Sequence, residues 1–309
     1  MHMRLGALIA RPPAGADPMQ KLRIRNAGIA VGVTGVALVV VTLVFNVLVA
    51  GGDADTDNLF WTAGLTVAGF GTVKAGIALV LMGIVVRLWM RVDAVKAALP
   101  KLKAHAQPQT DVRYGQIDTP FGRGTLTEKA PGLLPPQAMA RIMWKPMILM
   151  GPMLVLAGLV FSFVNAGADD PDTRQALSAW QDGTQFLGEA MLLAAISFLL
   201  GTILAGLREG GGEVQESMGL AVKTLRMPAS AKLFLVFMFG GLMTGIAQFV
   251  LYGVAAYADD PATWFAWLGP LRELSLGLLL SGIVLALFTI GTVLGFQHWR
   301  MREIVETGR

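Results

Sequence analysis

Six stretches of the chain are nearly uninterrupted apolar runs, at approximately 27–50, 61–88, 146–166, 184–207, 232–257 and 272–296. Each reaches the roughly 20 residues that a helix needs to cross a hydrocarbon core about 30 Å thick. Each must be helical, because backbone groups left unpaired against lipid are not tolerated. The pattern predicts an all-α polytopic membrane protein with six transmembrane helices, arranged as three tandem helical hairpins at 27–90, 146–207 and 232–296. A segment at 1–26, connections at 91–145 and 208–231, and a tail at 297–309 make up the rest.

The polar breaks carry a repeat. Ala168-Asp169-Asp170-Pro171-Asp172-Thr173 returns as Ala258-Asp259-Asp260-Pro261-Ala262-Thr263, and Asp53-Ala54-Asp55-Thr56 is a looser version after the first run. The even-numbered runs align without gaps as Gly71 to Ile84, Ala190 to Ile203 and Gly277 to Ile290, with Ile77, Ile196 and Ile283 in register. Together these suggest tandem duplication of a parallel unit, the kind of repeat that defines a building block. It is not the inverted repeat of many rocking transporters. Small residues four apart recur as Gly28/Gly32, Gly201/Ala205, Gly241/Gly245 and Gly291/Gly295, a spacing that lets helix backbones approach closely.

Composition agrees with a membrane class. The 309 residues are 54% hydrophobic and 15% charged, below the roughly 25% of soluble domains, and mean hydropathy is +0.59. Charge then sets orientation. Of 25 Lys and Arg residues, 22 lie in residues 1–26, 87–145, 208–232 and 297–309. By the positive-inside rule both termini face the cytoplasm and the Asp-rich loops face out. The net charge of +4 is thus a topology signal and gives no reason to expect nucleic acid. Leu5 to Ala10, followed by Pro12 and Pro13, makes a poor signal peptide, so the first span is expected to remain as the insertion signal. The expected location is a bacterial inner membrane.

The connections are not featureless. Val92, Val95, Ala98, Leu99 and Leu102 alternate with basic residues from Arg91 to Ala106, which predicts a basic amphipathic helix on the membrane surface or extending the second span. Gln107 to Pro136 predicts two short extended pieces around the turn Thr119-Pro120-Phe121-Gly122. The second connection has Gly210-Gly211-Gly212, a short amphipathic stretch from Glu213 to Leu225, and Pro228 before the fifth span.

Candidate chemistry is sparse. Lys74 lies near the middle of the second span, where a lysine costs at least ~2.5 kcal/mol on insertion scales and needs a partner or water. In the repeat alignment Glu189 falls opposite Phe70, one turn outward of Lys74, so the two charges meet if the second and fourth spans are neighbours. An internal ion pair and a polar transport path are the competing readings. Arg272 and Glu273 are read as interfacial, in the first turn of the sixth span, where a carboxylate suits the helix dipole. Asn46, Asn165 and Gln248 are expected to bond between helices.

Asp169, Asp170, Asp259 and Asp260 offer oxygens suited to Ca²⁺ but lack the spaced pattern of a calcium loop, so helix capping with Pro at the first helical position is preferred. Nearby Trp61, Trp180, Trp264 and Trp267 suit an interfacial belt. Met139, Met143, Met147, Met150 and Met153 form a stripe that either packs or passes Cu(I), and packing is favoured. No cysteine exists, and His2, His105 and His298 all lie outside the interiors of the spans. The chain's own spans therefore provide no histidine pair for a haem and no zinc site, and neither metal nor cofactor is expected.

No nucleotide-hydrolysis, serine-hydrolase or zinc-protease motif appears. The functional expectation is a non-catalytic integral membrane subunit or scaffold of a bacterial membrane complex, with a bioenergetic complex as one candidate and other membrane subunits or a second copy as partners. A small-solute transporter using Lys74 and Glu189 is the alternative. A lipid- or quinone-acting enzyme is the weakest, with only Glu189 and Glu273 to keep it open.

Overall fold

The structure is a computed structural model, and it describes residues 18–50, 58–103 and 113–307. The Asp53–Thr56 loop, the reading of residues 1–17, and His105 lie outside these residues. The elements in chain order are α1 (Pro18–Ala50), α2 (Asn58–Lys103), β1 (Gly115–Thr119), β2 (Gly122–Thr127), α3 (Pro135–Ala166), α4 (Pro171–Ser217), β3 (Val222–Leu225), α5 (Ala229–Ala255) and α6 (Pro261–Thr307). Six of these helices are long and apolar enough to cross a membrane, and the chain is a predominantly helical, multi-pass membrane protein.

Consecutive helices pack in antiparallel pairs, α1 on α2, α3 on α4 and α5 on α6. The close contacts explain the glycines. A Cβ added at Gly76 would lie 2.7 Å from both Gly28 O and Gly32 N, and one added at Gly35 would lie 2.6 Å from Gly69 O, so α1 and α2 touch backbone to backbone. Gly151 and Gly188 give α3 and α4 the same intimacy, and Gly241 receives the Leu279 side chain of α6. Dispersion between close-packed backbones is what holds helices together where lipid is as apolar as the side chains.

The centre of the bundle is α4, which also packs against α2, α5 and α6. Phe186, Leu193, Phe198, Leu199 and Leu200 on it are buried among Met82 and Val85 of α2, Trp144 and Met147 of α3, Phe234 and Met238 of α5, and Leu279 of α6. The periphery is inverted relative to a soluble protein: Val33, Val36, Leu43 and Val47 of α1 and Val284, Leu287 and Phe288 of α6 are exposed. Such a continuous apolar exterior matches lipid rather than water.

The Asp-rich repeat is a helix cap. Asp170 Oδ2 accepts from the Thr173 N–H at 2.8 Å and from its Oγ1 at 2.7 Å, with Pro171 at the first helical position. Asp260 Oδ2 repeats this by accepting from Thr263 Oγ1 at 2.6 Å. The Thr173 hydroxyl and then its N–H hold the Asp170 carboxyl below the usual carboxylate range. The cap therefore stabilises at neutral pH and fades as pH falls through the depressed value. Asp169 and Asp259 are exposed beside the caps.

At the other end of the bundle α2 runs unbroken to Lys103, so of the two placements expected for the basic stretch it takes the one that extends the second span. α4 departs from expectation by passing straight through Gly210–Gly212 to Ser217, and residues 222–225 of the amphipathic stretch form a strand. Buried neighbours override the helix-breaking tendency of three glycines, since Gly211 and Gly212 abut Gln297 and Pro131. The expected hairpin at Thr119–Gly122 is present: β1 pairs with β2, and β3 adds to β2, all antiparallel. Gly122 has φ +120° in this turn, a conformation open mainly to glycine.

Gly76→Ala should force α1 away from α2 and lower stability by about 1–3 kcal/mol, the usual cost of overpacking. Gly32→Ala, whose Cβ meets nothing within 4 Å, should change it by no more than about 0.5 kcal/mol. Thermal unfolding of both variants in the same detergent makes the comparison.

Candidate functional site

Two polar features interrupt the apolar bundle. The first lies within the membrane-spanning part. Lys74 Nζ on α2 is 2.7 Å from Glu189 Oε1 on α4. The other carboxylate oxygen, Oε2, is 3.5 Å from Arg272 Nη2 on α6. The Glu189 side chain is 5% exposed, against 19% for Lys74 and 29% for Arg272. The Arg272 guanidinium also lies over the Phe186 ring at 5.7 Å, one turn outward along α4.

One carboxylate thus joins a cation from the first helix pair and another from the third to the central helix of the second. A buried pair of this kind adds little stability over an apolar replacement, yet losing one member leaves a stranded charge and costs several kcal/mol. The juxtaposition of Lys74 and Glu189 follows the repeat register. Arg272 does not: the helix starts at Pro261 rather than near residue 272, which puts Arg272 and Glu273 in the fourth turn, beyond reach of the N-terminal dipole. Arg272 turns inward while Glu273 is exposed, so Glu273 stands outside the cluster.

Neutral polar groups tie α3 to α4 and α5 to α6. Asn165 Nδ2 donates to Ser178 Oγ at 2.9 Å, Gln248 Nε2 to Leu268 O at 2.7 Å, and Ser275 Oγ to Gly241 O at 2.8 Å. The methionines do not form one face: Met147 is 6% exposed, whereas Met150 and Met153 are 47% and 63% exposed. That dispersal suits packing and lipid contact better than a metal path.

The second feature is at the sheet-bearing end. Gln215 near the end of α4 accepts at Oε1 from the Lys223 N–H at 2.9 Å and from Arg300 Nε at 2.8 Å. Its Nε2 donates to Lys223 O at 3.1 Å. Arg300, 2% exposed on α6, also binds Glu303 at 2.6 Å, and Glu303 takes Lys223 Nζ at 2.5 Å. Arg141 of α3 pairs with Glu209 of α4. This clasp fixes β3, and through it the sheet, on the ends of α4 and α6. None of it was expected from the sequence.

Below the clasp is a cavity of about 590 Å³ between α3, α4, α5 and α6, bounded by β3. Its α4 wall runs from Ser197 through Gly201, Leu204 and Arg208 to Gln215, and near its end also takes in Leu207, Gly210 and Val214. Phe234, Leu235 and Met238 of α5 and Val293 of α6 face them. No protein-family model, curated protein or solved structure matches this chain.

Glu189→Gln should destabilise the protein by about 3–5 kcal/mol, because two cations lose their counter-charge, and Lys74→Met by less, because Arg272 still faces the carboxylate. The double variant should recover a large part of the loss. Unfolding free energies of the singles and the double give the coupling, and strict additivity would refute the pair as a structural unit.

Proposed function

We propose that the chain is a non-catalytic integral membrane subunit or scaffold, built as three tandem hairpins with both termini on the cytoplasmic side of a bacterial inner membrane. It associates there with other membrane-protein subunits or with a second copy of itself. The observation that carries this reading is the closure of the intramembrane charges on one another. Both oxygens of Glu189 are taken by cations from two other helices. A carboxylate with neither oxygen left free serves assembly of the bundle, while a solute path needs polar groups left free for the solute.

The basic end supports the orientation and the role. The Lys and Arg residues gather at the end carrying the sheet, as expected for a cytoplasmic face. There β1 is an edge strand, exposed at three of its five residues, on a platform fixed by the Gln215–Arg300 clasp. An edge strand on a rigid base is a surface to which a partner strand can add.

Transport is the second reading, favoured by the partial exposure of Lys74 and Arg272, at 19% and 29%. Native mass spectrometry after extraction in mild detergent, with reconstitution in parallel, separates the two. The subunit reading expects a stoichiometric complex with another membrane chain or copy and no solute flux in liposomes. A partner-free monomer whose liposomes show flux abolished by Lys74→Met would establish transport instead.

A further inference from the structure

We propose that the cavity at the sheet-bearing end is a binding site for an anionic glycerophospholipid, with the phosphate at Arg208 and one acyl chain running along α4 toward Ser197. This goes beyond the subunit reading and does not depend on it.

Size comes first. A volume of about 590 Å³ lies within the ~300–1,000 Å³ of small-molecule sites, and equals roughly twenty waters at ~30 Å³ each, so it is no packing defect. Its shape is elongated. The α4 wall from Ser197 to Gln215 covers about 27 Å of helix at 1.5 Å per residue. Phe198, Leu204, Phe234, Leu235, Met238 and Val293 line its length, a surface that suits a hydrocarbon chain and repels a column of water.

Charge then selects the head. Arg208 Nε and Nη1 are buried and have no hydrogen-bond partner. Of the acidic side chains in the clasp, Glu209 is engaged by Arg141 and Glu303 by Lys223 and Arg300. Buried N–H groups left unfilled are costly, and phosphate oxygens are the acceptors that a guanidinium fits best. At the far end of the same face Ser197 Oγ is also buried without a partner.

Access comes from the side. Leu294, His298 and Met301 follow one another at helical spacing on α6, line the cavity, and are all exposed. The cavity is therefore open along a face of α6 whose neighbours, Leu287 and Phe288, are exposed apolar residues of the lipid-facing exterior. A mouth flanked by such a surface takes its occupant from the bilayer. A free anion such as inorganic phosphate would use Arg208 but leave the apolar length empty, and a zwitterionic lipid would bring its own cation against Arg208.

The test is native mass spectrometry of the full-length protein, delipidated in mild detergent and titrated separately with dioleoyl phosphatidylglycerol, dioleoyl phosphatidylcholine and oleate. One equivalent of phosphatidylglycerol should be retained about ten-fold more tightly than phosphatidylcholine, the size of one charge-assisted contact. Arg208→Gln should remove that preference while leaving phosphatidylcholine binding unchanged. Ser197→Leu, which puts bulk at the closed end, should weaken retention of both phospholipids and provides a separate readout if Arg208→Gln fails to fold. Equal retention of the two lipids by the wild type, or undiminished preference in Arg208→Gln, overturns the proposal. So does an equal loss in Arg302→Gln, whose side chain is 72% exposed and lines no part of the cavity, because that would mark surface lipid only. Arg208-dependent retention of oleate without phosphatidylglycerol would also overturn it, in favour of a free fatty acid.

Discussion

Glu189 is the one charge on which the arrangement of the helices depends. A lysine near the middle of a span cannot be left against lipid, and α2 carries one. The carboxylate that meets it has to be brought from another helix, deep in the bundle and dry. That requirement places α4 beside α2, and the second oxygen of the same carboxylate then draws α6 to the opposite flank through Arg272. Apolar side chains are interchangeable with lipid tails and specify neighbours only weakly, so directional contacts of this kind decide which helices adjoin.

A helix surrounded on all sides must be apolar on all sides, and α4 is buried along most of its length from Ala179 to Gln215. It also outruns the bilayer: 47 residues cover roughly 70 Å at 1.5 Å each, more than twice the hydrocarbon thickness. Its protruding end stays covered because β3 and the end of α6 close over it. Gln215 does this with both ends of its amide, bonding Lys223 as a strand would and accepting from Arg300. The buried Arg300 is tolerable because Gln215, Glu303 and the Ala221 carbonyl take up its N–H groups. The sheet is thus a consequence of long helices that need a lid.

Much of this was legible in the chain. Six apolar runs gave the spans, Asp-Asp-Pro-x-Thr gave the caps, and Thr119–Gly122 gave the β-turn, because each depends on a local preference or a composition threshold. The Lys74–Glu189 contact was readable because the repeat supplied a register between separate helices. Arg272 was misread because the start of α6 was placed by hydropathy, whereas the Asp260–Thr263 cap sets it at Pro261, about eleven residues earlier at 1.5 Å per residue. Gly210–Gly212 misled in the opposite sense: local propensity argued for a break, and packing against Gln297 and Pro131 kept the helix whole. Gln215, Arg300 and Glu303 are separated by long stretches of chain or lie on a tail with ordinary polar spacing, and no local signal joins them.

Arg208 shows how the same face of one helix serves two ends. A Cβ at Gly201 would meet Ala140 Cβ at 3.1 Å and one at Gly211 would meet the Gln297 side chain at 2.9 Å, so helix contact closes part of this face, while Ser197, Leu204 and Arg208 line the cavity. Were this space a fault in packing, a larger side chain at Ser197 would be the simplest remedy. The chain instead sets two unpartnered buried N–H groups of Arg208 beside an apolar length, a costly arrangement in an empty cavity and a complementary one around an anionic lipid.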